Sequence, residues 1–301
     1  MKKITVVIPA LNEEQGIGLV LKEIPVSKLT NMGYETEVMV VDNGSRDTTR
    51  YIAKQHGATV FIQPIRGYGN AYKAGFANAS GDIIVTGDAD HTYPFEDLPE
   101  ILAKMEKEDL DFISTNRLEH VNQGVMKPSH IFGNRLLTAI TKLLFHLPFV
   151  DTQSGMWIFR REIWDKLNVK SSGMAFSQEL KIEAYIRGFK CAEVPIKYRI
   201  RAGVAKLNTW RDGTKVMFRV FSKRLSTLFI SNNYVGKERA LIFEVNGSNP
   251  LLHVHLDEKN GSSLHSAEEF SASILEEDAN QVQGRLPQPG CEVSSVNTGG
   301  S

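Results

Sequence analysis

Ile4-Thr5-Val6-Val7-Ile8-Pro9-Ala10-Leu11-Asn12-Glu13-Glu14 opens the chain with a β-branched run that stops at a proline and turns polar. A continuous apolar run of that length reads as a strand buried on both faces, the pattern of a parallel sheet. Residues 37–41 repeat it and end in Asp42-Asn43-Gly44-Ser45. Between the two, Ile17, Val20, Leu21 and Ile24 recur at helical spacing, so a helix is expected over residues 13–24. A second helix is expected over residues 47–56, with Ser45 as its N-cap. Strands at 59–62, 83–86 and 111–114 continue the series, with helices at 69–79 and 95–107 between them. Strands alternating with helices predict an α/β fold, a doubly wound and mostly parallel sheet that binds ligands beyond the carboxyl ends of its strands.

After residue 115 the pattern changes to a loop, a helix at 133–146, a strand at 156–159, a helix after Ser177, a strand at 192–198 and a helix at 215–230. We read residues 1–232 as one domain, with a nucleotide-binding half at 1–115 and an acceptor half at 116–232. Residues 233–301 form an extension, and beyond residue 246 Gly, Ser, Asn, Glu and Gln dominate without periodicity, which predicts disorder.

The 301 residues carry 35 Lys/Arg and 35 Asp/Glu, and 42% of them are hydrophobic, enough for a sizeable core. The charge is uneven: residues 245–301 hold 2 Lys/Arg against 8 Asp/Glu, leaving 33 against 27 on the part expected to fold. That basic excess favours anionic partners such as nucleotide diphosphates or acidic lipid. Cys191 and Cys291 are the only cysteines and make no disulfide framework or Cys-based metal site. The apolar run at 4–8 is too short for a signal peptide, and no stretch approaches the roughly 20 apolar residues of a membrane span. A cytoplasmic chain is expected, with any membrane contact peripheral.

Gly87-Asp88-Ala89-Asp90 directly follows the expected strand at 83–86. Two carboxylates two residues apart at a strand end can face one Mg²⁺ or Mn²⁺, which takes oxygen ligands and keeps positions open for a substrate diphosphate. Alone, such a pair also fits a solvated turn. Its context is two further polar strand ends, at residues 9–13 and 42–47. His91, His120, His130 and His146 share no metal-ligand spacing, and His253 and His255 lack further ligands.

The segments Val-Val-Ile-Pro-Ala-Leu-Asn-Glu-Glu (6–14), Val-Val-Asp-Asn-Gly-Ser-Arg-Asp-Thr-Thr (40–49), Gly-Asp-Ala-Asp (87–90), Asp-Thr-Gln-Ser-Gly-Met (151–156) and Glu-Val-Pro-Ile-Lys-Tyr-Arg-Ile-Arg-Ala-Gly-Val-Ala-Lys-Leu (193–207) occur in that order. In this the chain resembles family 2 glycosyltransferases of the dolichol-phosphate mannosyltransferase type, from residue 4 to about 230. The resemblance implies a GT-A-like fold and an inverting transfer of a sugar, mannose or glucose, from a GDP- or UDP-sugar to a polyprenyl phosphate. It implies that Pro9, Leu11 and Glu13 line the nucleotide, with Val41 and Asp42 or Asn43 near base and ribose. Asp88, Ala89 and Asp90 would hold metal and diphosphate, with Thr92 as a further residue at the metal. Arg117, Arg201 and Lys206 match the family's phosphate-contacting positions. The family usually has an aromatic residue at Leu11 and an aspartate at Asn43, so the base stays open between guanine and uracil. Arg135 and Ser154 are implied at the lipid phosphate, or serve as a surface helix charge and a turn hydroxyl.

The residues themselves agree with this chemistry. A polyprenyl phosphate oxygen is already ionised at pH 7, so no general base is obligatory and the site must supply charge neutralisation and positioning. Helices 136–147 and 215–230 mix Leu and Phe with basic residues; Lys215, Arg219 and Lys223 are expected as the basic edge of an interfacial helix on the cytoplasmic face of a membrane. No nucleic-acid partner is implied. A family 2 transferase with a soluble acceptor, or a nucleotide-sugar-binding protein without turnover, would share the donor-side motifs.

Overall fold

A computed structural model describes residues 1–119, 124–204 and 213–227. In chain order its elements are β1 (Lys2–Ala10), α1 (Ile17–Glu23), α2 (Val26–Asn31), β2 (Tyr34–Asp42), α3 (Thr49–Gln55), β3 (Thr59–Ile62), α4 (Tyr68–Asn78), β4 (Ile83–Thr86), α5 (Leu98–Lys107) after a short 3₁₀ turn, β5 (Phe112–Asn116), α6 (Pro128–Phe145), β6 (Trp157–Arg160), α7 (Arg161–Trp164), α8 (Phe176–Ile186) and β7 (Cys191–Pro195). Residues 213–227 are helical as well. Lys206, the end of the expected 215–230 helix, and the whole extension from 233 lie outside the described residues.

The seven strands form one sheet in the order β3-β2-β1-β4-β6-β5-β7. β1 pairs in parallel with β2 and β4, β2 with β3, and β5 with β7. Only β6 runs against its neighbours, β4 and β5. That reversal matters for position: the carboxyl ends of β1, β2, β4, β5 and β7 share one edge, and the loop that enters β6, residues 151–156, arrives at the same edge.

Side chains alternate between two cores. Ile4, Val6, Ile8, Val40, Val85 and Ile113 face helices α1, α3 and α5, while Val7, Val41, Ile84, Trp157 and Phe159 face Tyr72 and Phe76 of α4 and Phe176 and Leu180 of α8. Each fully buried side chain of this size contributes about 1.5–3 kcal/mol.

The element boundaries depart from expectation where loops touch. α1 begins at Ile17 rather than 13, because residues 13–16 form a turn in which Gly16 lies against the Asp88–Asp90 loop; a Cβ there would stand 2.4 Å from the Ala89 carbonyl. Ser45 does not cap α3, whose N-cap is Thr48; the Ser45 hydroxyl accepts the Asn12 N–H at 2.9 Å instead. β7 stops at Pro195, and the chain beyond it crosses over the β4 loop, with Arg199 N–H on the Thr92 carbonyl and Ala202 N–H on the Asp90 carbonyl.

The basic edge expected on the 215–230 helix is also different. Arg219 and Lys223 turn inward, to Glu179 at 3.3 Å each and, for Lys223, to Glu183. Lys215 stays exposed, and so do Phe218, Phe221 and Leu225, Phe218 being 77% exposed. The buried carboxylates Glu179 and Glu183 explain why these two cations turn inward, since a charge in α8 without a partner would be costly.

Candidate functional site

The site is built from the loops at the carboxyl edge. After β1, Asn12 adopts a left-handed conformation (φ 51°), its side chain accepts the Arg46 N–H at 2.7 Å, and the Glu13 N–H donates to Thr49 at 2.8 Å. The β1 and β2 loops are thereby joined, with Pro9 and Leu11 half-buried between them.

After β2, Val41 is buried and the Asp42 carboxylate is fully enclosed, accepting the N–H groups of Gly44 and Ser45. Asn43 holds the loop before α4: its amide nitrogen donates to the carbonyls of Gln63 and Ile65, both at 2.9 Å, and its amide oxygen accepts the Gly67 N–H at 2.7 Å. An aspartate offers no donor for those two carbonyls. Asn43→Asp is therefore expected to cost about 1–3 kcal/mol of stability. Denaturant titration of the variant would count against this geometry if its midpoint matched the parent.

After β4, Asp88 Oδ1 accepts the Tyr68 hydroxyl at 3.1 Å. Asp90 Oδ1 accepts both the Thr92 N–H and the Thr92 hydroxyl (2.6 Å), and its Oδ2 accepts Arg201 Nη1 at 2.6 Å. Arg201 Nη2 in turn reaches Glu13. One guanidinium thus joins the β1 loop, the β4 loop and the segment after β7. Burial, then the neighbouring Asp90 charge, pushes the Asp88 carboxyl up to about 7 against the pull of Tyr68, Arg117 and Arg201. Two crowded carboxylates with hard oxygen donors suit a divalent cation, which would relieve that repulsion. Among the described residues no third His, Cys, Asp or Glu joins them, so further ligands would be substrate oxygens and water, as Mg²⁺ sites usually have.

On the far side of β4, Arg117 is buried and grips Asp151 with two hydrogen bonds, Nε to Oδ2 at 2.7 Å and Nη2 to Oδ1 at 2.9 Å. Its guanidinium also covers the Tyr198 ring at 5.4 Å. Burial alone would raise the Asp151 carboxyl; the Arg117 charge and hydrogen bonds outweigh it and hold the group below the usual carboxylate range. Ser154 is fully buried, its hydroxyl 2.7 Å from that of Thr115. Its carbonyl accepts three donors, from Trp157, Ser177 and Lys181. Gly155 follows, where a Cβ would come within 2.5 Å of the Tyr68 hydroxyl.

The expected residues therefore fall into groups. Glu13, Asp90, Thr92 and Arg201 are linked directly, and Asp88 and Ala89 lie in the same loop. Ser154 stands on the loop entering β6, and Arg117, directly after β5, is tied to that loop through Asp151. Arg135 is exposed on α6, with no hydrogen bond among the described residues to any of these.

Three residues were not singled out from the sequence. Tyr68 and Tyr93 put hydroxyls on Asp88 and on the Gly155 N–H, at 3.1 and 2.7 Å. Lys181 is fully buried beneath the 151–154 loop, and burial pulls its amine down to about 7 against the Asp151 charge. A lysine inside Phe-Ser-Gln-Glu-Leu-Lys-Ile carries no local sign of burial.

The chain is similar to known proteins in sequence and in fold. The model of glycosyl transferase family 2 matches residues 5–167. The low-salt glycan biosynthesis hexosyltransferase Agl6 of Haloferax volcanii is 38% identical over 212 residues, 70% of this chain and 51% of that protein, so the chain spans about half of its length. The dolichyl-phosphate hexose transferase of the same organism is 35% identical over 214 residues, covering 71% of this chain and 90% of that one. Among solved structures, glucosyl-3-phosphoglycerate synthase from Mycobacterium tuberculosis, in complex with Mn²⁺, UDP and glucosyl-3-phosphoglycerate, superposes with a TM-score of 0.59 at 25% identity, over 74% of this chain and 80% of that one.

Proposed function

Since this chain belongs to glycosyl transferase family 2 and is a glycosyltransferase of the GT-A fold, we propose that it transfers a hexose from a GDP- or UDP-sugar to a polyprenyl phosphate at the cytoplasmic face of a membrane. The observation that carries this reading is the meeting, at one sheet edge, of the Asp88–Asp90 pair with the Glu13–Arg201–Asp90 bridge. Pro9, Leu11, Val41 and Asp42 would line the nucleoside, and Arg201 and Lys206 would meet its phosphates.

Asp88 and Asp90, with Thr92 orienting Asp90, would hold Mg²⁺ or Mn²⁺, which supplies charge neutralisation on the leaving diphosphate. In the reaction an oxygen of the acceptor phosphate attacks the anomeric carbon from the face opposite the diphosphate. The new C–O bond forms as the old one breaks, and the electron pair leaves with the nucleoside diphosphate. The acceptor oxygen is already ionised, so no proton needs to be removed, and no side chain has to act as base.

The 35% identity to a dolichyl-phosphate hexose transferase supports a lipid acceptor, and so does the surface. No helix of the described residues is long and apolar enough to cross a membrane. α6 nevertheless exposes Phe132, Leu136 and Leu143, and the 213–227 helix exposes Phe221 and Leu225. Neither residues 124–150 nor 213–227 contain an Asp or Glu, and Arg224 lies over the Phe145 ring at 5.8 Å, joining the two helices. Such faces suit peripheral contact with anionic lipid. Phe221→Glu/Leu225→Glu is expected to cost roughly 3 kcal/mol or more of membrane affinity. Unaltered sedimentation with anionic vesicles would move the contact elsewhere.

A family 2 transferase with a soluble acceptor would share the donor-side loops and is the competing reading. Incubating the protein with GDP- and UDP-hexoses against dolichyl phosphate, undecaprenyl phosphate and phosphoglycerate tests the proposal. Exclusive transfer to phosphoglycerate would overturn the lipid acceptor.

A further inference from the structure

Beside the Asp88 loop lies a cavity of about 760 Å³ that none of the residues expected at the active site lines. Its walls come from the start of α4, the 170–175 loop and the 213–227 helix, and its lining includes Tyr68, Lys170, Met174, Lys215, Phe218 and Arg219. The volume falls within the range of small-molecule pockets.

The lining is of two chemical kinds. Lys170, Lys215 and Arg219 are cations, and no Asp or Glu lines the space. Met174, Phe218 and the Tyr68 ring are apolar. Arg219 is already paired with Glu179, which leaves Lys170 and Lys215 to meet an anion; neither has a carboxylate partner among the described residues. A ligand that satisfies both kinds carries phosphate at one end and an apolar chain at the other.

The walls are held in place. The 170–172 segment is fixed to α4 by the Asn70 N–H on the Ser172 carbonyl and by Lys73 on the Lys170 carbonyl at 2.9 Å. It is fixed to α8 by the Ser171 N–H on Glu179 at 2.8 Å. Two of its lining residues connect it to other parts of the molecule. Tyr68 donates its hydroxyl to Asp88. Phe218 is followed on the same helix by the exposed Phe221 and Leu225.

We propose that this cavity is the acceptor subsite, receiving the phosphate and the first isoprene units of the lipid between Lys170, Lys215, Met174 and Phe218. The inference rests on the lipid-phosphate reading above and adds where that substrate enters: from the apolar helix face, past Tyr68, to the sugar held at Asp88. It also separates the acceptor phosphate from Arg135, which is exposed on α6.

Binding of farnesyl phosphate to the full chain tests it, with farnesol and inorganic phosphate as controls. Lys170→Glu/Lys215→Glu reverses the charge at two exposed positions, and Met174→Trp narrows the cavity. Each is expected to weaken farnesyl phosphate binding about tenfold or more, while binding of UDP or GDP with Mn²⁺ stays at the parental level. Farnesol should bind more weakly than farnesyl phosphate and respond only to Met174→Trp.

Three results would overturn the subsite: no farnesyl phosphate binding by the parent, parental binding by both variants, or an equal loss of nucleotide binding. The lipid-phosphate reading fails separately, by an absence of transfer to dolichyl or undecaprenyl phosphate in a parent protein that still binds farnesyl phosphate here.

Discussion

Asp88→Asn is expected to abolish transfer and, in metal-free protein at pH 8, to raise the melting temperature. The loss follows from removing one of the two carboxylates that would meet the cation and diphosphate; electrostatic contacts of that kind are worth about 3–4 kcal/mol, or 10²–10³ in rate. The gain follows from the raised Asp88 carboxyl, at about 7 against an ordinary 3.8. A carboxyl whose folded pKa lies above its unfolded value favours the fold fully below pH 3.8 and loses that contribution as the pH rises through 7. Above pH 7 the ionised Asp88 is a liability of at most about 4 kcal/mol, at about 1.4 kcal/mol per pKa unit. Asp88 keeps some access to solvent, so the actual figure lies below that ceiling. Calorimetry in a chelator at pH 8 and pH 5 checks both sign and window: the stabilisation should shrink at pH 5, and an Asn variant that melts below the parent at pH 8 would refute the electrostatic account. Active site and stability would then pull in opposite directions at one residue.

The second large effect is expected at Arg117 and Asp151. Arg117→Met leaves a buried carboxylate without its partner, and Asp151→Asn strands the guanidinium; either should cost about 3–5 kcal/mol. The double variant Arg117→Met/Asp151→Leu should recover most of the loss, because two apolar side chains need no partner. Urea denaturation of the three proteins makes the comparison. Arg117 was expected among the phosphate-contacting residues, whereas its two hydrogen bonds to Asp151 support a positioning role for the loop entering β6. Were Arg117→Met to fold with parental stability and still lose transfer, the arginine would act on substrate instead.

How much could be read in the sequence depends on the range of the interaction. The strands at 59–62 and 83–86 match the observed β3 and β4, because β-branched runs bounded by polar turns are local signals. The α/β class followed from the alternation, and the Asp88–Asp90 loop from its place after a buried run. What the sequence concealed is what distant segments decide. The start of α1 was displaced by contact with the β4 loop, and β7 was cut short at Pro195 where the chain crosses to Thr92. Two of the three cations of the 213–227 helix turn inward because Glu179 and Glu183, some 40 residues earlier, claim Arg219 and Lys223. Fourfold spacing of cations specifies a stripe on a helix but not the side it faces; α8 supplies that information. Tyr68 and Lys181 escaped notice for the same reason, since a hydroxyl on Asp88 or an amine beneath Ser154 has no signature within its own neighbourhood.

The reversed strand β6 bears on how the chain is made. β3, β2, β1 and β4 come from the first 86 residues and can pair as soon as they leave the ribosome, but β4 is joined to β5 only through β6. Trp157 follows Thr86 by 71 residues. At about 5–20 residues per second, the outer edge of β4 waits roughly 4–14 s for its neighbour. Ile83, Ile84 and Val85, all buried in the finished sheet, then present an unpaired apolar edge of the kind that recruits other chains. The nascent protein is therefore most exposed to misassembly, and most in need of a holding chaperone, in the interval between its fourth and sixth strands.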